Sequence, residues 1–372
     1  MPLTVYSKFS EKESDVEQVL RRLSAQFGEQ VTSIDKVPDH WREFMRQDLQ
    51  CPSCFVTGAE VVREAVSSKT KKPLRQAFFR FSNPRHREYC DFDNSDYSNS
   101  EPENLISFND SKTKVTRAIR ELVCTGIELG IFSQRSIRDM REWFFKKKIQ
   151  SMFVVALDAR FPYWINELYY EAYKAKQGLP EGVSLTAEIA ALHGFSLRAE
   201  VARQQILRHP SYQEFMHELD KRRFNFFGVI EQLASICRRY QGRSAFDPSS
   251  LEAEYKKTCE LSEFVANNYS PLKDSKIKGN FVSSALAFSA LLLFVRDWEV
   301  ELALKDFSII AARAGSSDTD LGNVMGLNPF HNYAAWKALK QVQEFKIIVP
   351  DYTDLKAERK TIDAEIRAMF GL

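Results

Sequence analysis

The chain has 372 residues, of which 44% are hydrophobic and 27% are charged, and its formal net charge is +2. This composition is typical of a soluble globular protein with ample material for a core, and the length suggests two or three domains. A net charge this close to zero does not by itself indicate a polyanionic partner, so electrostatic arguments rest on local patches. Six cysteines in a chain of this length do not form a disulfide framework, which indicates a reducing compartment.

The sequence predicts no membrane association. The first residues, Met1-Pro-Leu-Thr-Val, lack the basic and apolar regions of a secretory signal. The most apolar run, Phe281 to Val295, contains three serines and is shorter than the ~18–20 residues that span a bilayer. We therefore expect this run to form a buried helix and the protein to be cytoplasmic.

Residues 1–50 are predicted to form an N-terminal helical segment. Apolar residues recur at helical spacing, and Ser14 with Glu17 fits a capping box at the start of the helix. The apolar positions are Val16, Val19, Leu20, Leu23 and Phe27.

The next segment, residues 51–90, carries a metal-ligand pattern. Cys51 and Cys54 form a Cys-x2-Cys pair, and after a 31-residue gap His86 and Cys90 form a His-x3-Cys pair. Two such pairs suit one tetrahedral zinc ion, and three thiolates with one imidazole leave no open position, so the zinc would be structural. The alternative is that Cys51 and Cys54 are a redox pair or unrelated thiols.

Two short strands are predicted between the ligand pairs, at Val61–Arg63 and Gln76–Phe81, on either side of the polar loop 67–72. The segment is thus a zinc-ribbon-like module. Cys51-Pro-Ser-Cys54, the arginine-rich strand that ends at Phe81, and Cys90 together resemble the N-terminal zinc-binding module of the competence-protein CoiA-like family. In this chain Phe78-Phe79-Arg80-Phe81 stands where that family has histidines, so His86 would replace them as a ligand.

The resemblance implies a bacterial setting in DNA uptake, mobile-element biology or phage defence. It also implies a following nuclease-like domain with a Pro-Asp and Glu-x-Lys metal site. Glu254-Tyr255-Lys256 in helical sequence and Glu344-Phe345-Lys346 before Pro350-Asp351 are Glu-x-Lys triplets. Such a site needs both carboxylates on adjacent strands, and the sequence predicts too few strands, so the metal-dependent nuclease remains an alternative.

The gap between the ligand pairs is strongly basic. From Arg63 to Arg87 eight basic residues stand against Glu64 alone, with phenylalanines between them. Such a ribbon can track a phosphate backbone and stack bases, or it can be a solvated surface with its phenylalanines packed beneath. The run Lys146–Lys148 adds positive charge further along. The candidate nucleic-acid contacts are Arg75, Arg80, Arg85, Arg87, Lys146, Lys147 and Lys148.

Residues 91–110 are acidic, contain no lysine or arginine, and are predicted to be an exposed linker. Helical periodicity dominates residues 111–372, which we interpret as a helical domain. Within it, residues 185–205 fit either a helix-turn-helix or an ordinary pair of helices. The polar loop 315–333 carries Asp318, Asp320, Asn323 and His331, which would serve either as ligands or as caps and turns.

The sequence therefore predicts a mainly α protein with a small N-terminal zinc-ribbon-like β module. It contains no Gly-rich phosphate loop, nucleophile elbow or His-Glu-x-x-His motif, which favours a protein that is not an enzyme. The function we expect is that of a nucleic-acid-associated or complex-forming protein with a structural zinc ion. A metal-dependent nuclease and a protein-interaction scaffold without nucleic-acid binding remain as alternatives.

Overall fold

A computed structural model describes residues 2–31, 34–66, 73–75, 77–88, 90, 92, 114–180, 182–222, 226–273, 283–314, 330, 332–345 and 354–371. The fold is mainly α, as the sequence predicted. The helices are α1 (Val16–Phe27), α2 (Asp39–Asp48), α3 (Lys114–Glu128), α4 (Gln134–Gln150), α5 (Phe161–Ala175), α6 (Ala187–Ala190), α7 (Leu197–Leu207), α8 (Pro210–Arg222), α9 (Ile230–Tyr240), α10 (Glu252–Asn268), α11 (Ser270–Lys273), α12 (Ser283–Phe294), α13 (Val300–Arg313), α14 (Tyr333–Glu344) and α15 (Leu355–Phe370). The strands are β1 (Thr4–Ser7), β2 (Lys12–Asp15), β3 (Leu49–Gln50), β4 (Ala59–Val62), β5 (Ala65–Val66), β6 (Pro73–Arg75), β7 (Phe78–Phe81), β8 (Met152–Val154) and β9 (Ser244–Phe246).

The chain divides into two compact units. The first comprises Met1–Ser151 and Ser249–His331, and the second comprises Met152–Pro248 and Asn332–Leu372. The first unit thus joins the N-terminal region to helices α10–α13, a grouping that the sequence-based division at 50, 90 and 110 does not contain. Of the predicted acidic linker 91–110, only Phe92 belongs to the described residues.

The first unit begins with a small antiparallel sheet in the order β2-β1-β3, so the segment predicted to be helical also contains strands. Helix α1 follows β2 directly. Its N-cap is Asp15, whose side chain accepts from the backbone N–H of Gln18 in a complete capping box. The prediction of Ser14 and Glu17 as the capping pair was wrong by one position, because Ser14 is buried and its hydroxyl binds the Arg22 guanidinium.

The two strands predicted inside the 51–90 module are confirmed as β4 and β7, which pair antiparallel from Ala59↔Phe81 to Val62↔Phe78. The module is not separate from the N-terminal segment. Its cysteines and Phe79 share one apolar core with Trp41 of α2 and with α1. The backbone N–H of Phe79 also donates to the carbonyl of Pro2. Metal-ligand pairs and N-terminal helices therefore belong to the same packed body.

Helix α4 docks on this body through buried polar contacts. The Arg141 guanidinium pairs with the Glu13 carboxylate, and both side chains are almost fully buried. The backbone N–H of Glu13 donates to the Gln134 side chain at 2.7 Å. The Arg138 guanidinium lies over the rings of Phe55 and Tyr6, at 4.9 and 5.4 Å from their centroids. Helix α4 is thus anchored both to β2 and to the loop that follows Cys54.

The rest of the first unit is a helical bundle of α3, α10, α12 and α13. Helix α12 corresponds to the apolar run of the sequence and is buried, in contact with α3, α4, α10 and α13. Among the described residues, no helix has the length and apolar character required to cross a bilayer.

The second unit packs α5 against α7 and α9, with α14 on α9 and α15 on α7. Its core contains Trp164, Phe215, Leu233, Trp336 and Leu339. Strands β8 and β9 pair antiparallel within this unit.

Candidate metal centre

The structure brings the four predicted ligand residues together. The Sγ atoms of Cys51, Cys54 and Cys90 and a ring nitrogen of His86 all lie within 4.8 Å of one another. The Cys51 and Cys90 sulfurs are 3.8 Å apart, and His86 Nδ1 lies 3.6 Å from Cys54 Sγ and 3.4 Å from Cys90 Sγ. Metal–ligand bonds of ~2.3 Å to sulfur and ~2.0–2.1 Å to nitrogen place tetrahedral neighbours about 3.8 Å (S···S) and about 3.6 Å (S···N) apart. The spacing therefore matches one tetrahedral ion.

The first ligand pair is held by a tight backbone turn after β3. The N–H of Phe55 donates to the carbonyl of Cys51, and the N–H of Cys51 donates to the carbonyl of Val56. The turn continues to Gly58, whose φ is +95°, and a Cβ there would lie 2.7 Å from the Asn83 carbonyl oxygen. Only glycine fits this close approach. The turn that carries Cys51 and Cys54 therefore lies against the segment that leads to His86 and Cys90.

The second ligand pair follows β7. The N–H of Cys90 donates to the carbonyl of Arg87, which turns the chain back after His86. The His86 ring packs against Phe81, with centroids 5.0 Å apart, and lies 6.4 Å from the Phe92 ring. These aromatic contacts hold the imidazole with Nδ1 directed at the sulfurs.

The electrostatics of the cluster favour a bound cation. All three thiols are buried, and burial raises the pKa of Cys51 well above its usual range. Hydrogen bonds with Cys51 and Cys90 lower the pKa of Cys54. Three thiolates are unfavourable in a buried site that has no counter-charge, and a metal cation supplies that counter-charge. The four residues form a Cys3His cluster that could hold a metal ion.

The clustering of all four residues also bears on the alternative that Cys51 and Cys54 are a redox pair. A dithiol pair would involve Cys51 and Cys54 only, whereas His86 and Cys90 complete the same cluster. The turn after Cys54 leads to strand β4 and not into a helix N-terminus, the setting that lowers a catalytic thiol pKa. Cys124 and Cys237 are buried elsewhere, and burial raises the pKa of Cys237 to about 12.

The basic ribbon is partly neutralised by its own chain. Arg80 of β7 binds the Glu60 carboxylate of β4 at 2.9 Å, and Arg46 binds the same carboxylate at 3.3 Å. The hydrogen bond from Arg80 lowers the pKa of Glu60. Arg63 pairs with Asp35 at 3.3 Å. The sequence pattern did not reveal these acidic partners, because they lie on other elements.

Arg85 and Arg87 differ from Arg63 and Arg80, which have acidic partners. Both are exposed, and neither has a salt-bridge partner among the described residues. They flank His86, so the histidine faces the cysteines while its two neighbours face solvent. Arg75 ends β6, but its side chain, like loop 67–72, lies outside the described part of the structure.

The three lysines of α4 have three different environments. Lys146 is exposed and pairs with Glu142 at 2.9 Å, and the Lys147 ammonium lies 6.0 Å from the centre of the Trp143 ring. Lys148 is only 5% exposed. Successive helical residues point about 100° apart, so the run Lys146–Lys148 cannot present one basic surface. Lys148 is therefore not available to a phosphate in this structure.

The phenylalanines of the ribbon are not a stacking surface. Phe78, Phe79 and Phe81 are all buried in the core of the first unit. The alternative in which these rings pack beneath a solvated ribbon is the one that the structure bears out. In the described part of the ribbon, a contact with nucleic acid would go through arginines and not through bases stacked on these phenylalanines.

The other candidate sites gain no support. Glu254-Tyr255-Lys256 lies in α10, and Glu344 ends α14, whereas Lys346 and Pro350-Asp351 lie outside the described residues. In the helix-turn-helix candidate, Arg203 and Gln204 both bind the buried Glu200 carboxylate. Asp318, Asp320, Asn323 and His331 of the polar loop are outside the described residues.

No family model, no curated protein and no solved structure matches this chain. The chemistry of the cluster and of the surface around it is therefore the ground for a functional conclusion.

Proposed function

We propose that Cys51, Cys54, His86 and Cys90 bind one structural zinc ion. The observation that carries this proposal is the agreement of the S···S and S···N distances with a tetrahedron of three thiolates and one imidazole. Zinc suits this ligand set because it accepts soft thiolates in tetrahedral geometry and undergoes no redox change. All four positions are taken by protein, so the ion has no catalytic role.

The zinc ion would hold the second ligand turn rigid. Arg85 and Arg87 stand on this turn, on both sides of a metal ligand, so the backbone that carries them loses less freedom on binding than a mobile loop would. Arg80 on β7 belongs to the same ribbon. We propose that this surface contacts the phosphates of a nucleic acid, and the resemblance to the CoiA-like zinc-binding module agrees with that partner.

The test is binding of labelled single-stranded and double-stranded DNA and RNA over a salt series. Arg85→Gln/Arg87→Gln should weaken binding to all sequences and reduce the salt slope by roughly two contacts, ~0.7–0.9 each. The matched control is Lys356→Gln/Lys360→Gln, which removes two exposed charges from α15 in the second unit. Absence of binding at low salt, or an equal effect of the control, overturns the nucleic-acid proposal.

A second function, that of a protein-interaction scaffold, is favoured by the pairing of Arg80 and Arg46 with Glu60 and by the burial of the ribbon phenylalanines. Both features remove groups that a nucleic acid would use. The same salt series separates the two functions, since the scaffold binds no nucleic acid even at low salt. Cleavage that depends on Mg²⁺ would contradict both and restore the nuclease alternative.

A further inference from the structure

The outward face of α5 in the second unit is a ridge of tyrosines. Tyr163, Tyr169, Tyr170 and Tyr173 are 51%, 40%, 59% and 67% exposed. At 100° per residue, Tyr163, Tyr170 and Tyr173 fall with Asn166 within an arc of about 80°. This arc lies opposite the face of α5 that is buried in the core.

Among the described residues, only Tyr169 of the ridge has a ring or hydrogen-bond partner outside the ridge. The hydroxyls of Tyr163, Tyr170 and Tyr173 make no hydrogen bond to other described groups, and the Tyr170 ring meets that of Tyr169 within the ridge, at 6.1 Å. Tyr169, at the flank, stacks on Phe227 with ring centroids 4.0 Å apart. Tyrosine is enriched at protein interfaces because it offers a large, rigid contact area with a polar end, at the cost of two side-chain torsions.

The charges around the ridge disfavour a polyanion as its occupant. Lys174 is bound to the buried Glu171 carboxylate, and Arg160 is bound to Asp158 at 2.8 Å. Glu167 adds a negative charge beside Tyr163 and Tyr170. Among the described residues beside the ridge, Lys176 is exposed without an ion pair, but one such charge is too few for a polyanion, so the surface fits a protein.

We propose that the α5 ridge is the contact surface of a homodimer, in which two copies of α5 meet antiparallel about a two-fold axis. The ridge is self-complementary about Leu168. With the axis there, Tyr163 faces Tyr173 of the second copy, and Asn166 faces Tyr170, whose hydroxyl its amide can bind. A two-fold contact requires that the same patch serve both copies, and this spacing meets that condition.

The available area can be compared with that of a standard interface. With ~200 Å² per tyrosine side chain, the exposed fractions of the four tyrosines correspond to about 400 Å² per copy. A standard interface buries ~800 Å² per partner. The tyrosines thus supply about half of a standard interface, and we expect a weak, reversible dimer.

The experiment is sedimentation velocity of the full chain from ~1 to ~200 µM. The unmodified protein should pass from monomer to dimer in this range, and Tyr163→Ala/Tyr173→Ala should raise the dimer Kd at least tenfold. The matched control is Leu192→Ala, which trims another highly exposed side chain of the same unit and should leave Kd unchanged.

Two results would overturn the proposal: a monomer at every concentration, or a dimer that the double variant leaves intact. Tyr170→Glu provides a second variant, because it places like charges near the axis and should leave only monomer. Circular dichroism and metal content should be the same for all variants, which separates loss of dimer from loss of fold. The zinc and nucleic-acid proposals do not depend on this outcome.

Discussion

The buried ion pair between α4 and the N-terminal hairpin gives the sharpest stability prediction. Arg141→Met keeps the unbranched apolar stem of the side chain but leaves the Glu13 carboxylate buried without its cation. Of the polar contacts of that carboxylate, the one from the Thr4 hydroxyl at 2.6 Å would remain. Removing one partner of a buried pair costs about 3–5 kcal/mol. At ~2–4 °C per kcal/mol for a domain of 150–250 residues, the transition should fall by roughly 6–20 °C.

The assays are urea denaturation of the full chain for the free energy and thermal denaturation for the midpoint temperature, with hydrogen exchange of α4 assigning the change to the first unit. Helix α4 offers its own control in Arg135, whose partner Glu11 lies on the same hairpin, 2.9 Å away, but in solvent. Arg135→Met should cost less than about 1 kcal/mol, because exposed ion pairs are screened by water.

A third variant, Glu13→Gln/Arg141→Met, tests the cause of the loss. It removes both charges, so it should be less destabilised than Arg141→Met alone. The reasoning is refuted if Arg141→Met costs no more than Arg135→Met, or if the double variant is destabilised as much as Arg141→Met or more.

Three further predictions concern the module itself. Gly58→Ala should destabilise the first ligand turn and speed zinc transfer to a chelator, because its Cβ would meet the Asn83 carbonyl. His86→Cys should retain zinc through four thiolates, whereas His86→Ala should lose it faster in the same chelator competition; equal rates would remove His86 from the ligand set. Glu60→Gln should raise nucleic-acid affinity at low salt, measured by fluorescence anisotropy, because it frees Arg80 from its neutralising partner; unchanged affinity would exclude Arg80 as a contact.

The metal cluster could be predicted because short spacings in the sequence encode its ligand pairs. Cys-x2-Cys and His-x3-Cys each fix a chelating turn by spacing alone, and the strands β4 and β7 between them follow from residue type. His86 was predicted as a ligand from spacing alone. The aromatic contacts that orient its ring come from Phe81 and Phe92. Those contacts depend on the folded chain and not on any motif.

The chemistry of the ribbon could not be predicted in the same way. A count of basic residues does not show that Glu60 neutralises Arg80 from the paired strand, or that Phe79 faces a core shared with Trp41. The grouping of α3 and α4 with helices α10–α13 likewise arises from packing across more than a hundred residues of sequence. Periodicity predicts that such helices exist but not which of them pack together.

The central proposal is that one zinc ion is bound by three thiolates and one imidazole. Zinc K-edge X-ray absorption on the purified full chain tests it most directly. We expect about one zinc per chain, with three sulfur neighbours at ~2.3 Å and one nitrogen at ~2.0 Å, and loss of this signal in Cys51→Ser. A zinc content near zero in the unmodified protein, or a shell of oxygen and nitrogen alone, would contradict the proposal.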